Sequence, residues 1–150
     1  MVRQTLFSEG IPDGCAFTIM EGNAADREAA TKNYEQLLPE SIDILLLSVG
    51  SDGRIASLLP GSNSIQEKLR SVVPVVGTKP PPRRLTITPR VIQSALSTFL
   101  FAIGKEKGQI LAKALESPYN IESLLLRLVL RATWILDSDS STQFGYATKK

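Results

Sequence analysis

Ile42-Asp43-Ile44-Leu45-Leu46-Leu47-Ser48-Val49-Gly50-Ser51-Asp52-Gly53-Arg54-Ile55-Ala56-Ser57-Leu58-Leu59-Pro60-Gly61 joins an unbroken apolar run to a polar loop. The run Ile44 to Leu47, extended by Val49, predicts a strand buried on both faces, the pattern of a central parallel strand in an α/β sheet. It breaks at once into Gly50-Ser51-Asp52-Gly53, where two glycines permit a tight turn and close approach of the backbone to a ligand. Ligands of open α/β sheets bind in the crevice outside the carboxyl ends of the strands. Ser51, Asp52 and Arg54 are therefore the first polar side chains to place there.

Toward the N-terminus, Val2, Leu6 and Phe7 lie at helical spacing before Gly10, Pro12, Asp13 and Gly14 end the pattern. Ala16 to Met20 has a short β-like character. Asn23 is placed to cap a helix from Ala24 to Leu38, with Ala25, Ala29, Tyr34, Leu37 and Leu38 on one face and Pro39 as its stop.

Toward the C-terminus, short helices are expected at Ile55 to Leu59 and Ser64 to Arg70. Val72 to Val76 is β-branched but holds Pro74, which suits an edge or irregular strand. Gly77-Thr78-Lys79-Pro80-Pro81-Pro82-Arg83-Arg84 reads as a stiff cationic loop, because three prolines restrict φ. Leu85 to Thr88 alternates apolar and hydroxyl side chains, and Thr88 with Pro89 opens a helix through Leu96. A strand over Thr98 to Ile103, a turn at Gly104, a helix over Lys105 to Glu116 and a strand over Ala132 to Asp137 follow. Strands separated by helices of this length imply right-handed crossovers. The expected fold is a doubly wound, mostly parallel α/β sheet with helices on both faces. Residues 1–137 read as one domain and 138–150 as a polar C-terminal tail that contributes little to any core.

At 150 residues, 43% hydrophobic and 21% charged, the composition is that of one ordinary globular domain. A net charge of +2, evenly spread, argues against nucleic-acid or membrane partners and for a small-molecule ligand or none. The single cysteine, Cys15, excludes an internal disulfide and a cysteine-rich metal site, and is expected as a small core residue. Histidine is absent, which excludes Ser-His-Asp and Cys-His hydrolase arrangements and ordinary histidine-containing zinc sites. No cofactor or metal is expected. The first residues lack the apolar core of a signal peptide, and the apolar runs near Leu45 and Leu125 fall short of the ~20 residues that span a bilayer. The expected location is cytoplasmic.

Gly50-Ser51-Asp52-Gly53-Arg54-Ile55-Ala56-Ser57-Leu58-Leu59-Pro60 resembles the signature of the 6-phosphogluconolactonases, Gly-x-Asp-Gly-His-Thr-Ala-Ser-Leu-Phe-Pro. Lys79-Pro80-Pro81-Pro82-Arg83-Arg84-Leu85-Thr86-Ile87-Thr88 is similar to the family's Lys-Pro-Pro-x-x-Arg-Ile-Thr-Leu-Thr. Gly104-Lys105-Glu106-Lys107 is similar to its Gly-x-x-Lys, and Ala132 to Asp137 to its closing strand. In order and spacing these segments cover nearly all of residues 1–137. The resemblance implies a fold shared with the glucosamine-6-phosphate deaminases. The implied reaction is hydrolysis of 6-phospho-D-glucono-1,5-lactone to 6-phosphogluconate, a step of the pentose phosphate pathway, without a cofactor. Ala56 to Pro60 follows the lactonase pattern rather than the deaminase one.

The resemblance also implies that the N-terminal strands are missing. Family members begin with a strand and a Gly-Gly-Ser-Thr-Pro-like phosphate loop, then a second strand and an Asp-Glu-Arg segment. Met1 to Phe7 looks like the helix after them. A sheet edge left open in this way is expected to self-associate or to take a partner polypeptide.

Lactone hydrolysis needs an activated water, stabilisation of an oxyanion and a grip on the distant phosphate. By resemblance, Lys79 and Arg84 hold a sugar phosphate, with the backbone of Gly50, Ser51 and Gly53 forming an anion nest; the alternatives are a solvated basic loop and a simple turn. Asp52 either orients a catalytic group or bonds its own turn. Arg54 stands where the family carries its proton-transfer histidine, and a guanidinium does not accept a proton at neutral pH. Ser51 and Ser57 are the hydroxyls near enough to relay one. Three functions are compatible with these residues: a lactonase, a non-catalytic sugar-phosphate-binding relative, and a part that needs another polypeptide.

Overall fold

A computed structural model describes residues 2–116 and 125–144. A four-residue helix α1 (Val2–Thr5) opens the chain, and α2 (Arg27–Glu35) follows after a stretch without regular structure. Ala16 to Met20, β-like in sequence, forms no regular structure. A side chain on Gly22 would come within 3.1 Å of the Arg84 Cα. The cap of α2 is Asp26 rather than Asn23. Its carboxylate accepts the Ala29 N–H at 3.0 Å, while Ala24 is held in a turn by its N–H to Glu21 O at 3.0 Å.

Three parallel strands, β1 (Ile44–Ser48), β4 (Ser97–Ala102) and β5 (Thr133–Leu136), form one sheet in the order β1-β4-β5. Between β1 and β4 the chain makes an antiparallel pair, β2 (Val72–Val76) with β3 (Arg83–Ile87), in a separate two-stranded sheet. Pro74 sits opposite Leu85 in that pair, in the edge position that a missing N–H allows. Helix α2 lies on β2, with Arg27 Nη1 donating to Val75 O at 3.1 Å and Glu35 Oε1 accepting the Ser71 and Val72 N–H groups. Ile55 to Leu59 and Ser64 to Arg70 are turns, with a 3-10 helix only at Asn63–Gln66. Ala56 at φ +53° and the Ile55–Leu58 bridge keep the first of these from winding into a helix.

Helices α3 (Pro89–Ser94) and α4 (Lys105–Glu116) provide the crossovers into β4 and out of it. Pro89 takes the first position of α3 as expected, but the Thr88 hydroxyl donates to Arg70 O at 2.7 Å instead of capping the helix. One core joins Leu45, Leu47 and Val49 of the β1 stretch, Leu100 and Ala102 of β4, Val91 and Ile92 of α3, Leu111 and Ala114 of α4, and Leu125, Leu126 and Val129. Full burial of a leucine such as Leu100 or Leu111 contributes roughly 1.5–3 kcal/mol.

Strand β1 departs from the expectation in two respects. It stands at the end of the described sheet order, and it alternates: Leu45 and Leu47 are buried, while Ile44 and Leu46 remain 64% and 62% exposed. Cys15 is exposed rather than in the core, because its segment lies outside the packed layers. Residues 138–144 also differ from a solvated tail. Asp137 caps α5 (Ser138–Ser141), which packs on α4 with Ser140 fully buried. Among the described residues no helix is long and apolar enough to cross a membrane.

Candidate functional site

The turn after β1 is closed by backbone bonds from Gly50 N to Arg54 O at 2.8 Å and from Gly53 N to Gly50 O at 3.0 Å. Gly53 adopts φ +76°, a conformation that favours glycine. Val49 bridges to Ile55 and Ile55 to Leu58, and buried Ile55 and Leu58 anchor the loop to the core. The Ser57 N–H donates to Thr86 Oγ1 at 3.1 Å, which ties the loop to β3. Two N–H groups of the expected nest, those of Gly50 and Gly53, are thus engaged within the turn.

Asp52 and Arg54 fold back over Gly50 as an ion pair, Nη1 to Oδ2 2.8 Å. A Cβ at Gly50 would lie 2.6 Å from Asp52 Oδ1 and 2.7 Å from Arg54 Cγ, so this arrangement needs glycine there. Burial would raise the Asp52 pKa, but the Arg54 hydrogen bond, turn N–H groups and the guanidinium charge outweigh it and hold the carboxyl below its ordinary value. Asp52 is accordingly a carboxylate held by Arg54 through Oδ2, and its lowered pKa makes it a weak base near neutral pH.

Two lysines converge on this turn from other elements. Lys107, in the first turn of α4, donates to Ser48 Oγ at 3.0 Å, and Lys79 bonds the Ser51 hydroxyl. Leu46, Ser48, Gly50, Ser51, Arg54 and Lys107 line a groove of about 530 Å³ at the carboxyl end of β1. Larger hollows of about 610 and 620 Å³ flank α3, the latter reaching Thr98 and Ala132 at the opposite strand ends. Position decides for the smaller groove, since α/β sheets bind ligands at carboxyl ends.

Arg84 is not aimed at this groove. Its Nε donates to Pro81 O at 2.8 Å and its Nη2 to Lys79 O at 2.6 Å, with the guanidinium lying across Gly77. It organises the proline loop, whose Pro80–Pro81 peptide is cis, and holds the backbone that carries Lys79. The turn before α4 is fixed by Asp137, which accepts the Gly104 N–H at 3.0 Å and the Ser140 N–H at 2.9 Å. Those bonds, that from Gly104 first, keep the Asp137 carboxyl below its ordinary value. The structure therefore brings together Gly50, Ser51, Asp52, Gly53, Arg54 and Lys79, and adds Ser48 and Lys107, which sequence reasoning did not place in the site. Lys107 was within reach, since it closes the Gly-x-x-Lys segment after a strand. Among the described residues no group of three or more His, Cys, Asp or Glu is placed to hold a metal.

A parallel sheet with crossover helices and a glycine turn at the carboxyl end of β1 places the chain among the doubly wound α/β proteins. The chain belongs to the family of glucosamine-6-phosphate isomerases and 6-phosphogluconolactonases, whose model matches residues 1–131. It is 37% identical over 133 residues to a 6-phosphogluconolactonase of Streptomyces coelicolor, covering 79% of this chain and 51% of that protein. It is 36% identical over 115 residues to the 6-phosphogluconolactonase of Rattus norvegicus, covering 71% and 44%. The solved structure of a Thermotoga maritima 6-phosphogluconolactonase matches with a TM-score of 0.70 at 25% identity, over 90% of this chain and 62% of that one. The chain thus spans about half the length of the curated relatives it matches, and it shares their doubly wound, mostly parallel α/β fold.

Proposed function

We propose that this chain binds a phosphorylated sugar acid or its lactone, of the 6-phosphogluconate type, and that with Arg54 in place it contributes little to lactone hydrolysis. The observation that carries the reading is the Arg54–Asp52 pair at 2.8 Å, in the position of the family's proton-transfer histidine. Hydrolysis adds water to the lactone carbonyl and opens the ring ester, so a group must accept the water's proton as the C–O bond forms. Guanidinium is protonated at every physiological pH, and Asp52 is engaged by it. Binding is better supported. Lys107 and Lys79 present ammonium groups on hydroxyls, Arg54 adds a third cation beside them, and each suits phosphate or carboxylate oxygens. Ser48 and Ser51 supply the hydroxyls that fix the two lysines.

Calorimetric titration with 6-phosphogluconate and with gluconate is the test. The phosphorylated acid is expected to bind at least about tenfold more tightly, and the difference to shrink as salt screens the charges. Equal affinities would remove the phosphate assignment. Turnover of the lactone well above its spontaneous rate would show that another group activates water and that the non-catalytic part is wrong.

A further inference from the structure

The first turn of α4 is capped from outside. Gly104 takes the N-cap position, since its carbonyl accepts the first helical bond from Gly108 N at 3.2 Å, and at φ +92° it holds a conformation that favours glycine. With no side chain it cannot cap the helix itself. In a capping box the third helical residue is Glu or Gln, whose side chain reaches back to the N-cap N–H. Here that residue is Lys107, which has donors only. The Gly104 N–H goes instead to Asp137, just after β5, both of whose oxygens lie 3.0 Å away. The Lys107 side chain is thereby left to reach β1, Nζ to Ser48 Oγ 3.0 Å. Lys105, Glu106 and Lys107 also leave a net positive charge at the positive end of the helix dipole, which the Asp137 carboxylate balances.

A second set of contacts fixes the same turn. Asp137 also caps α5, accepting the Ser140 N–H at 2.9 Å, and the fully buried Ser140 lies against Gly108, where a Cβ would fall 2.6 Å from the Ser140 Cα. The residue next to Lys107 is thus the seat of the C-terminal turn. Farther along, α4 meets the glycine loop, with Ile110 Cγ2 3.9 Å from the place of a Cβ on Gly53. We propose that Asp137 is a positioning residue of the groove: with the α5 turn seated on Gly108, it holds the start of α4 so that the Lys107 ammonium stays on Ser48 at the ligand site. None of residues 137–141 lines the groove, so the action passes through Lys107. A lysine held in place before a ligand arrives loses less side-chain freedom on binding, and that gain in affinity is what Asp137 contributes. The proposal rests on the binding reading for the ligand that Lys107 meets, whereas the placement of the ammonium is a property of the free chain.

Brief acylation of the folded chain, with each lysine read by peptide mass spectrometry, measures Lys107 directly. Asp137→Ala removes both acceptor oxygens and the charge. It is expected to raise the labelling rate of Lys107 at least about threefold, while Lys79, held by Ser51 from another loop, changes by less than about 1.5-fold. Ser48→Ala should raise Lys107 labelling by a similar factor, and the two changes together no further than either alone, because both release the same ammonium. Asp137→Asn keeps one acceptor oxygen without the charge and is expected to fall between the parent and Asp137→Ala; if Asp137→Ala does not fold, a rise of at least about 1.5-fold at Lys107 in Asp137→Asn takes its place. Titration with 6-phosphogluconate reads the consequence. Asp137→Ala is expected to weaken binding by about the factor that Lys107→Met does, and to add little in the double variant. Unchanged Lys107 labelling in the Asp137 variants, an equal rise at Lys79, or additive losses of affinity with Lys107→Met would overturn the proposal. A parent chain that does not bind 6-phosphogluconate would defeat the binding reading alone, and the labelling would still decide what holds Lys107.

Discussion

Replacing Arg54 by histidine restores the residue type of the family motif, and the structure bounds what that costs and what it returns. Arg54 and Asp52 are partly exposed, at 27% and 17%, so losing their ion pair removes only about 0–1 kcal/mol. That corresponds to a fall of at most about 4 °C in melting temperature for a domain of this size, and Arg54→His should remain folded. The imidazole would stand beside Asp52, whose carboxylate, no longer held by a guanidinium, can accept its N–H and set its orientation. With pKa near 6.5 the imidazole is a competent base where arginine is not. In a fusion carrying the N-terminal part of the Streptomyces coelicolor relative, lactonase activity is expected to rise at least about tenfold, about 1.4 kcal/mol of barrier and a conservative share of a positioned base. The rate should climb with pH through the imidazole pKa, because only the neutral ring accepts a proton, and the parent should show no such step. Spectrophotometric assay of lactone opening from pH 5.5 to 8 measures both. Equal rates for parent and variant, both above background, or a gain without the pH step, would refute the role given to this position.

Gly108→Ala should destabilise the chain by roughly 1–2 kcal/mol by chemical denaturation. Its Cβ would meet Ser140 O at 2.4 Å and Ser140 Cα at 2.6 Å, and displacing that backbone outweighs the helix-propensity gain of about 1 kcal/mol. A variant as stable as the parent would mean that α5 does not pack on α4. Asp137→Asn should lower the melting temperature at pH 7 and flatten its fall in acid. The folded-state pKa of Asp137 is depressed, so its contribution is present above the ordinary value of 3.8 and is lost as pH falls through the folded value. Melting curves from pH 2.5 to 7 that run parallel for the two proteins would contradict the bonds assigned to Gly104 and Ser140.

Local chemistry made much of the fold legible before any coordinates. Lys105 to Glu116 reads as a helix and is one, since Gly104 precedes it and Pro118 follows. Pro89 marks the start of α3, and β-branched runs mark β2 and β5. The difficulties arose where tertiary contacts decide. Ile44 to Leu47 looks like a strand covered twice, and that apolar content is real; what periodicity cannot express is that, among the described residues, only the Leu45 and Leu47 side is covered. Ser138 to Ser141 looks solvated by composition, yet an Asp cap and a glycine on the facing helix make a seat for it. Composition is blind to a cap whose carboxylate also reaches across to Gly104.

The site was legible in its residues but not in their commitments. Gly50, Ser51, Asp52, Gly53 and Arg54 are adjacent in sequence and need no folding to be found together, whereas Lys107 and Ser48 meet only because β1 and β4 are neighbours in register. Arg84 carries the same charge as Lys79 but is drawn onto two loop carbonyls, so equal charge in sequence becomes unequal availability in space. The consequence reaches function. A histidine in the motif is neutral for part of the physiological range and acts as charge develops, whereas Arg54 is cationic before, during and after any reaction. In the reading proposed above, a guanidinium fixed in charge can hold an anionic ligand but cannot cycle a proton as a histidine does, so it tightens a complex without supplying the base that hydrolysis needs.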